Sequence, residues 1–249
     1  MEIKIKISTG TTIGLPINYN HIIQAIIYNA IDQISDKSDF YHDIGYRRYG
    51  RNYKMFQFSK LQGDYYIQDK KIYFKSYISF RVRSIDPFFI RLLAESFWKN
   101  GVTIGDEVYR KVNINLSNDT VDEKTIQVKM VTPITVYSTN LETKKTVYYS
   151  PQDEQFFEMI KNNFYRKYQA YYAIEPSTSI SVKCIDDGLP KKEVTKYKGI
   201  YITSWYGTYE ISGERKFLDF LYQTGLGSKN AQGFGMFDLI LPKKSVAEF

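Results

Sequence analysis

The chain has 249 residues and 43% of them are hydrophobic, enough for one large domain or two of about 100–150 residues each. No run approaches the ~18 apolar residues of a membrane-spanning helix, and the lone Cys184 excludes a disulfide framework. A net charge of +7 with 16% aromatic residues suits a nucleic-acid partner, because cations meet phosphates and rings stack on bases; a basic enzyme from an AT-rich genome has the same composition.

The N-terminus, M-E-I-K-I-K-I-S, alternates Ile3, Ile5 and Ile7 with charged residues. That is the period of a half-buried strand over Glu2–Ser8 and not a signal peptide, so a cytoplasmic protein is expected. Pro16 and Asn18 open a helix through about Ile34, with Asn18 as its cap. Its apolar stripe is Ile22, Ile23, Ile26, Ile27, Ala30 and Ile31. Tyr28 lies off the middle of that stripe, with His21, Gln24 and Asp32, where the core does not need it. Residues 35–52 read as an irregular connection that is basic and ring-rich at once; loops of that length tend to be functional. A strand at Tyr53–Leu61 and a hairpin over 64–83 follow. Asp86 caps, and Pro87 starts, a second helix ending at Gly101, with Ile90, Leu93, Ala94 and Phe97 facing inward. Residues 102–116 return as one or two strands.

The polar segment 118–123 marks a boundary, after which the order restarts. Strands are expected over 124–138 and 146–149, and a helix over 151–172 with Phe156, Phe157, Ile160 and Phe164 inward and Lys161, Arg166 and Lys167 on its outer face. Further strands over 177–185 and 193–206, a short helix over 213–224 and a last strand over 236–241 complete the half. The fold class is α+β: two tandem ferredoxin-like, RRM-like βαββαβ domains, 1–118 and 119–249.

Before the last strand runs Q-T-G-L-G-S-K-N-A-Q-G-F-G-M-F, with Gly225, Gly227, Gly233 and Gly235 around Ser228, Lys229, Asn230 and Gln232. Its order is helix, loop, strand, which excludes a dinucleotide-binding loop, and it lacks the G-K-[ST] of a P-loop. Such a loop can turn its N–H groups toward an anion, or merely connect two elements. Two histidines and one cysteine give no ligand-spaced cluster, so no metal and no cofactor are expected. General acid–base work remains, with His42 in the basic loop and His21 in the first helix as candidates. Lys54, just after that loop, is placed to meet a phosphate.

Four stretches in order, P-I-N-Y-N-H-I-I-Q-A-I-I-Y-N-A-I, Y-H-D-I-G-Y, Y-K-M-F-Q-F-S and G-L-G-S-K-N-A-Q-G-F-G-M, resemble the CRISPR repeat-processing endoribonucleases of the RAMP superfamily. The resemblance runs nearly end to end. It implies an enzyme that binds CRISPR repeat RNA in the precursor transcript and cuts it once per repeat without metal. The ribose 2′-OH is then the nucleophile, leaving a 2′,3′-cyclic phosphate and a 5′-OH. It also implies a catalytic set of Tyr28, His42 and Lys54, with the base and acid roles of Tyr28 and His42 open. Arg47, Arg48 and Arg51 would add phosphate contacts. The glycine loop, with Gly225, Gly227, Lys229, Asn230, Gln232, Gly233 and Gly235, would face RNA. The alternative is a non-cleaving RNA-holding subunit of a CRISPR interference complex; that complex and a homodimer are the further partners left open.

Overall fold

The computed structural model describes residues 1–37 and 39–240. Leu241, the last residue of the expected final strand, lies outside them. Ile3, Ile5 and Ile7 are fully buried, as the alternation requires. Glu2–Ser8 is accordingly an inner strand, antiparallel to Val112–Ser117 on one side and to Tyr77–Ser84 on the other. Tyr77–Ser84 in turn pairs antiparallel with Phe56–Phe58. Numbered along the chain, these four strands lie in the spatial order 4-1-3-2. Helices α1 (Asn20–Asp32) and α2 (Pro87–Asn100) share a core with this sheet. Asp86 caps α2 by accepting from the Phe88 and Phe89 N–H groups, and Gly101 ends the helix. The expected cap of α1 is different: Tyr19 holds the cap position without a side-chain bond, and Asn18 Oδ1 accepts from the Lys196 N–H.

In the second half the order 4-1-3-2 recurs among Thr125–Met130, Ser181–Cys184, Thr208–Ser212 and Phe237–Leu239, all antiparallel. Two expectations change here. The third strand is Thr208–Ser212, not 193–206; the latter stretch is a separate hairpin of Lys192–Tyr197 and Ile200–Trp205. The strand expected over 124–138 stops at Met130, ahead of Pro133, and Tyr137–Thr139 joins Thr146–Tyr148 in another hairpin. Helix α3 (Glu154–Tyr172) buries Phe156, Ile160 and Phe164, and also Lys167, which was expected outside. The spacing explains it: Lys167 stands three residues after Phe164 and seven after Ile160, on the same stripe. Helix α4 (Arg215–Thr224) leads into the glycine loop.

The halves are joined by buried polar bonds. Gln57 Nε2 donates to the Tyr222 carbonyl at 2.6 Å, and Arg83 Nη1 donates to the carbonyls of Tyr222 and Phe237 at 3.2 and 3.0 Å. Arg83 also pairs with Glu2 at 2.6 Å, and Arg81 grips Asp238 with two bonds of 2.9 and 2.8 Å. Fully buried charges persist only when paired and bonded in this way. The glycine loop is wedged into the same seam. Gly235 has φ 77°, and a methyl there would lie 1.9 Å from the Leu226 carbonyl oxygen. Gly235→Ala is therefore expected to lose about 2–5 kcal/mol of unfolding free energy, from strain plus overpacking, measured by urea denaturation of both proteins.

Candidate active site

Tyr28 points from α1 toward a short π-helix, Phe40–Ile44, within the stretch expected to be irregular. That segment folds over it. The His42 ring meets the Tyr28 ring edge-on with centroids 4.6 Å apart, and Phe56 closes the other side at 5.8 Å. Tyr28 is thereby buried, contrary to its expected place on the open face of the helix. Burial first, then the neighbouring Tyr197 and Asp43, raises its pKa, so the phenol keeps its proton. His42 remains half-exposed, with Nδ1 2.6 Å from Asp43 Oδ1. A carboxylate only accepts, so Nδ1 donates in this pair, and Nε2 is the nitrogen that accepts whenever the ring is neutral.

Lys54 follows the hairpin formed by Tyr46–Arg48 and Arg51–Tyr53. Its Nζ is buried and has no hydrogen-bond partner within the protein. Burial pulls its pKa down to about 8, against the pull of Asp43. What lets it sit there is Gly45, whose φ is 60° and where a methyl would lie 2.6 Å from the Tyr53 carbonyl oxygen and 3.1 Å from Lys54 Nζ. Asn52 Nδ2 ties the hairpin to the Asp43 carbonyl at 3.0 Å. The π-helix and Lys54 thus form one packed unit.

Tyr28, His42 and Lys54 line a single cavity of about 420 Å³, opposite Ser228, Lys229 and Gln232 of the glycine loop. Arg51 lines it too; Arg47 and Arg48 are exposed on the hairpin but do not line it. Gly225, Gly227, Gly233 and Gly235 are buried against protein atoms, Gly233 for instance beside Phe58 and Asn20. Asn230 is not available to a base, contrary to expectation: its Nδ2 donates to the carbonyls of Leu226 and Phe234 at 2.9 and 3.0 Å, and its Oδ1 accepts from Lys167.

The residues that sequence reasoning passed over are Lys167, Gln24 and Lys198. Lys167 Nζ donates to the carbonyls of Gly225 at 2.6 Å and Thr224 at 3.4 Å and to Asn230 Oδ1 at 3.2 Å, and so ties the loop to α3. Gln24, one turn before Tyr28, bonds the Ala231 carbonyl at 2.6 Å and the Tyr197 phenol. Its spacing of four from Tyr28 was legible; nothing in the sequence marked Lys198 at the tip of the 192–205 hairpin.

Full burial depresses the Lys167 pKa to about 7. Between there and its unfolded value of about 10.4 the unfolded chain binds more protons, so this group makes stability rise with pH. Wild type should gain about 2 kcal/mol over Lys167→Met on going from pH 7 to pH 9, read from urea midpoints of the two proteins.

Among the described residues no group of three or more His, Cys, Asp or Glu side chains is placed to hold a metal ion, and no helix is long and apolar enough to cross a membrane.

Comparison with known proteins places this geometry among relatives. Residues 116–239 match the family described as CRISPR associated protein Cas6, C-terminal. The CRISPR-associated endoribonuclease Cas6 of Pyrococcus furiosus is 25% identical over 227 residues, covering 89% of this chain and 82% of the relative. The CRISPR-associated endoribonuclease Cas6 1 of Methanocaldococcus jannaschii is 26% identical over 249 residues, covering 95% and 91%. In fold, a solved Cas6-related protein from Pyrococcus furiosus superposes with a TM-score of 0.78 at 21% identity, over 96% of this chain and 98% of that one.

Proposed function

The chain belongs to the CRISPR-associated Cas6 family, and from that premise we propose that it is an endoribonuclease that cuts CRISPR precursor RNA within each repeat. The observation that carries the reading is the convergence of His42, Tyr28 and an unpartnered, buried Lys54 on one cavity faced by Lys229 and Arg51. These groups match what in-line attack by a ribose 2′-OH needs.

His42 Nε2 takes the 2′-OH proton as the 2′-oxygen bonds to phosphorus. The bond from phosphorus to the 5′-oxygen breaks, leaving a 2′,3′-cyclic phosphate and a 5′-OH. Lys54, whose ammonium has no hydrogen-bond partner within the protein, stabilises the charge that gathers on the phosphoryl oxygens. Tyr28, held protonated by burial, is the donor that directs a hydrogen bond at the leaving 5′-oxygen and passes it a proton, which His42 then restores. This assignment gives His42 the base role and Tyr28 the acid role. It is a chemistry of side chains alone and calls for no metal.

The two sheets with strand order 4-1-3-2 support reading the chain as tandem ferredoxin-like units, 1–118 and 119–249, with the glycine loop filling the seam between them. On this reading the loop's glycines position Lys229 and Gln232 toward RNA and do not themselves touch it. Arg47, Arg48 and Arg51 hold backbone phosphates beyond the cavity.

The test is a cleavage assay with end-labelled repeat RNA in EDTA. A single cut ending in a cyclic phosphate, abolished by a 2′-deoxy substitution at the cut site, is expected. Tight, salt-sensitive binding without any cut would replace this reading by that of an RNA-holding subunit.

A further inference from the structure

Beside the catalytic cavity lies a second one of about 300 Å³, between the entry of α1 and the tip of the 192–205 hairpin. His21, Lys196 and Lys198 line it, with Pro16, Asn18 and Gly199 as uncharged walls. Lys198 lines both cavities, so an RNA backbone leaving the catalytic cavity past the hairpin tip enters this one.

The cations are held in place by their backbones. The Lys196 N–H donates to Asn18 Oδ1 at 3.1 Å, and the phenol of Tyr197, between the two lysines, bonds Gln24 Oε1 on α1. Neither lysine has a carboxylate partner among the described residues; their ammonium groups lie over aromatic rings, Lys196 5.7 Å from the Tyr201 centroid and Lys198 6.0 Å from that of Tyr197. His21 adds an imidazole whose Nδ1 is buried without a partner. Two anchored, unpaired cations in a concavity without an acidic wall select an anion, and its junction with the catalytic cavity selects a nucleic-acid phosphate over an acidic peptide.

We propose that this cavity is a second phosphate subsite, in which Lys196, Lys198 and His21 hold the backbone phosphate that flanks the one being cut. The inference rests on the RNA-cleavage reading of the neighbouring cavity. It adds a register: two adjacent phosphates fixed in two cavities determine which bond faces His42.

The experiment compares wild type with the double variant Lys196→Ala/Lys198→Ala, using repeat RNA with a 2′-deoxy at the cut site so that binding is read without cleavage. The double variant should bind about tenfold more weakly and lower the slope of log affinity against log salt by about 1. An RNA with a neutral methylphosphonate is then scanned over the linkages flanking the cut. At one linkage the wild type should lose the same tenfold and the double variant should lose nothing more. A control variant, Arg91→Ala/Lys99→Ala on α2, removes the same charge elsewhere and should bind within about twofold of wild type. Equal losses from the control, or additive losses at every methylphosphonate position, would overturn the subsite. If the wild type binds with these properties yet cuts no repeat RNA, the nuclease reading fails while the subsite stands.

Discussion

His42→Ala should cut repeat RNA about 10²–10⁴-fold more slowly than wild type in single-turnover assays, with RNA affinity changed by less than about threefold. The magnitude follows from what His42 does. On the proposed mechanism it accepts the 2′-OH proton: in the neutral ring the Nδ1 proton faces Asp43 and Nε2 is left to accept, while the burial of Tyr28 keeps that phenol protonated. Without His42 the 2′-OH must lose its proton to water. The His42 side chain is half-exposed but packs edge-on against Tyr28, so urea unfolding of the variant should show a loss of no more than about 1.5 kcal/mol, the contribution of one aromatic pair. A companion variant separates base from scaffold: Asp43→Asn leaves His42 in place but removes the acceptor that sets its tautomer, and should slow cleavage by a smaller factor. A cleavage rate for His42→Ala equal to wild type would remove His42 from the mechanism.

The parts legible in the sequence were those governed by local periodicity. The alternation of Ile3, Ile5 and Ile7 set the face of the first strand, and Asp86-Pro87 with Gly101 set both ends of α2. The order of strands and helices was readable wherever such signals were strong. It failed at Thr208–Ser212, where Tyr209 and Ile211 alternate correctly but the stretch is short and lies between a strand expected to end at 206 and a helix expected to begin at 213, so no element was assigned to it. The site was legible as a set of residue types, not as an arrangement. Tyr28 was placed correctly on α1 and off its stripe; that it is buried depends on a π-helix arriving from another part of the chain, which no helical wheel contains. The glycine loop shows the same limit. Its glycines can be read as freedom of φ, but whether that freedom serves RNA or the packing of Phe58 and Leu226 is decided by the seam between the halves. Lys167 could have been found from its spacing; a lysine on an apolar stripe is normally exposed, and only the three oxygens it binds make it an exception.

Lys54→Ala should lower the cleavage rate about 10²–10³-fold, the usual cost of removing one preorganised donor from a developing anion, and its pH profile should show why. In the free protein the Lys54 ammonium is lost as pH rises through about 8, because burial against Gly45 and the hairpin disfavours the charge. The second-order rate at low RNA concentration should therefore fall about tenfold per pH unit above 8 in wild type. A bound phosphate favours the charged form, so at saturating RNA the same limb should move to higher pH. Lys54→Ala should be slow at every pH and lack the limb altogether. An alkaline limb that persists in Lys54→Ala would assign it to another group and deny Lys54 its electrostatic role. Gly45→Ala gives an independent handle: the added methyl must displace either the Tyr53 carbonyl or the ammonium, 2.6 and 3.1 Å away, while touching no RNA. Cleavage by Gly45→Ala should thus be impaired through the rate at saturating RNA rather than through affinity, with the alkaline limb shifted, because its target is where the charge sits and how dry it is. The buried, unpartnered lysine is unfavourable for the free protein, and on the proposed mechanism the phosphate it would receive accounts for its presence.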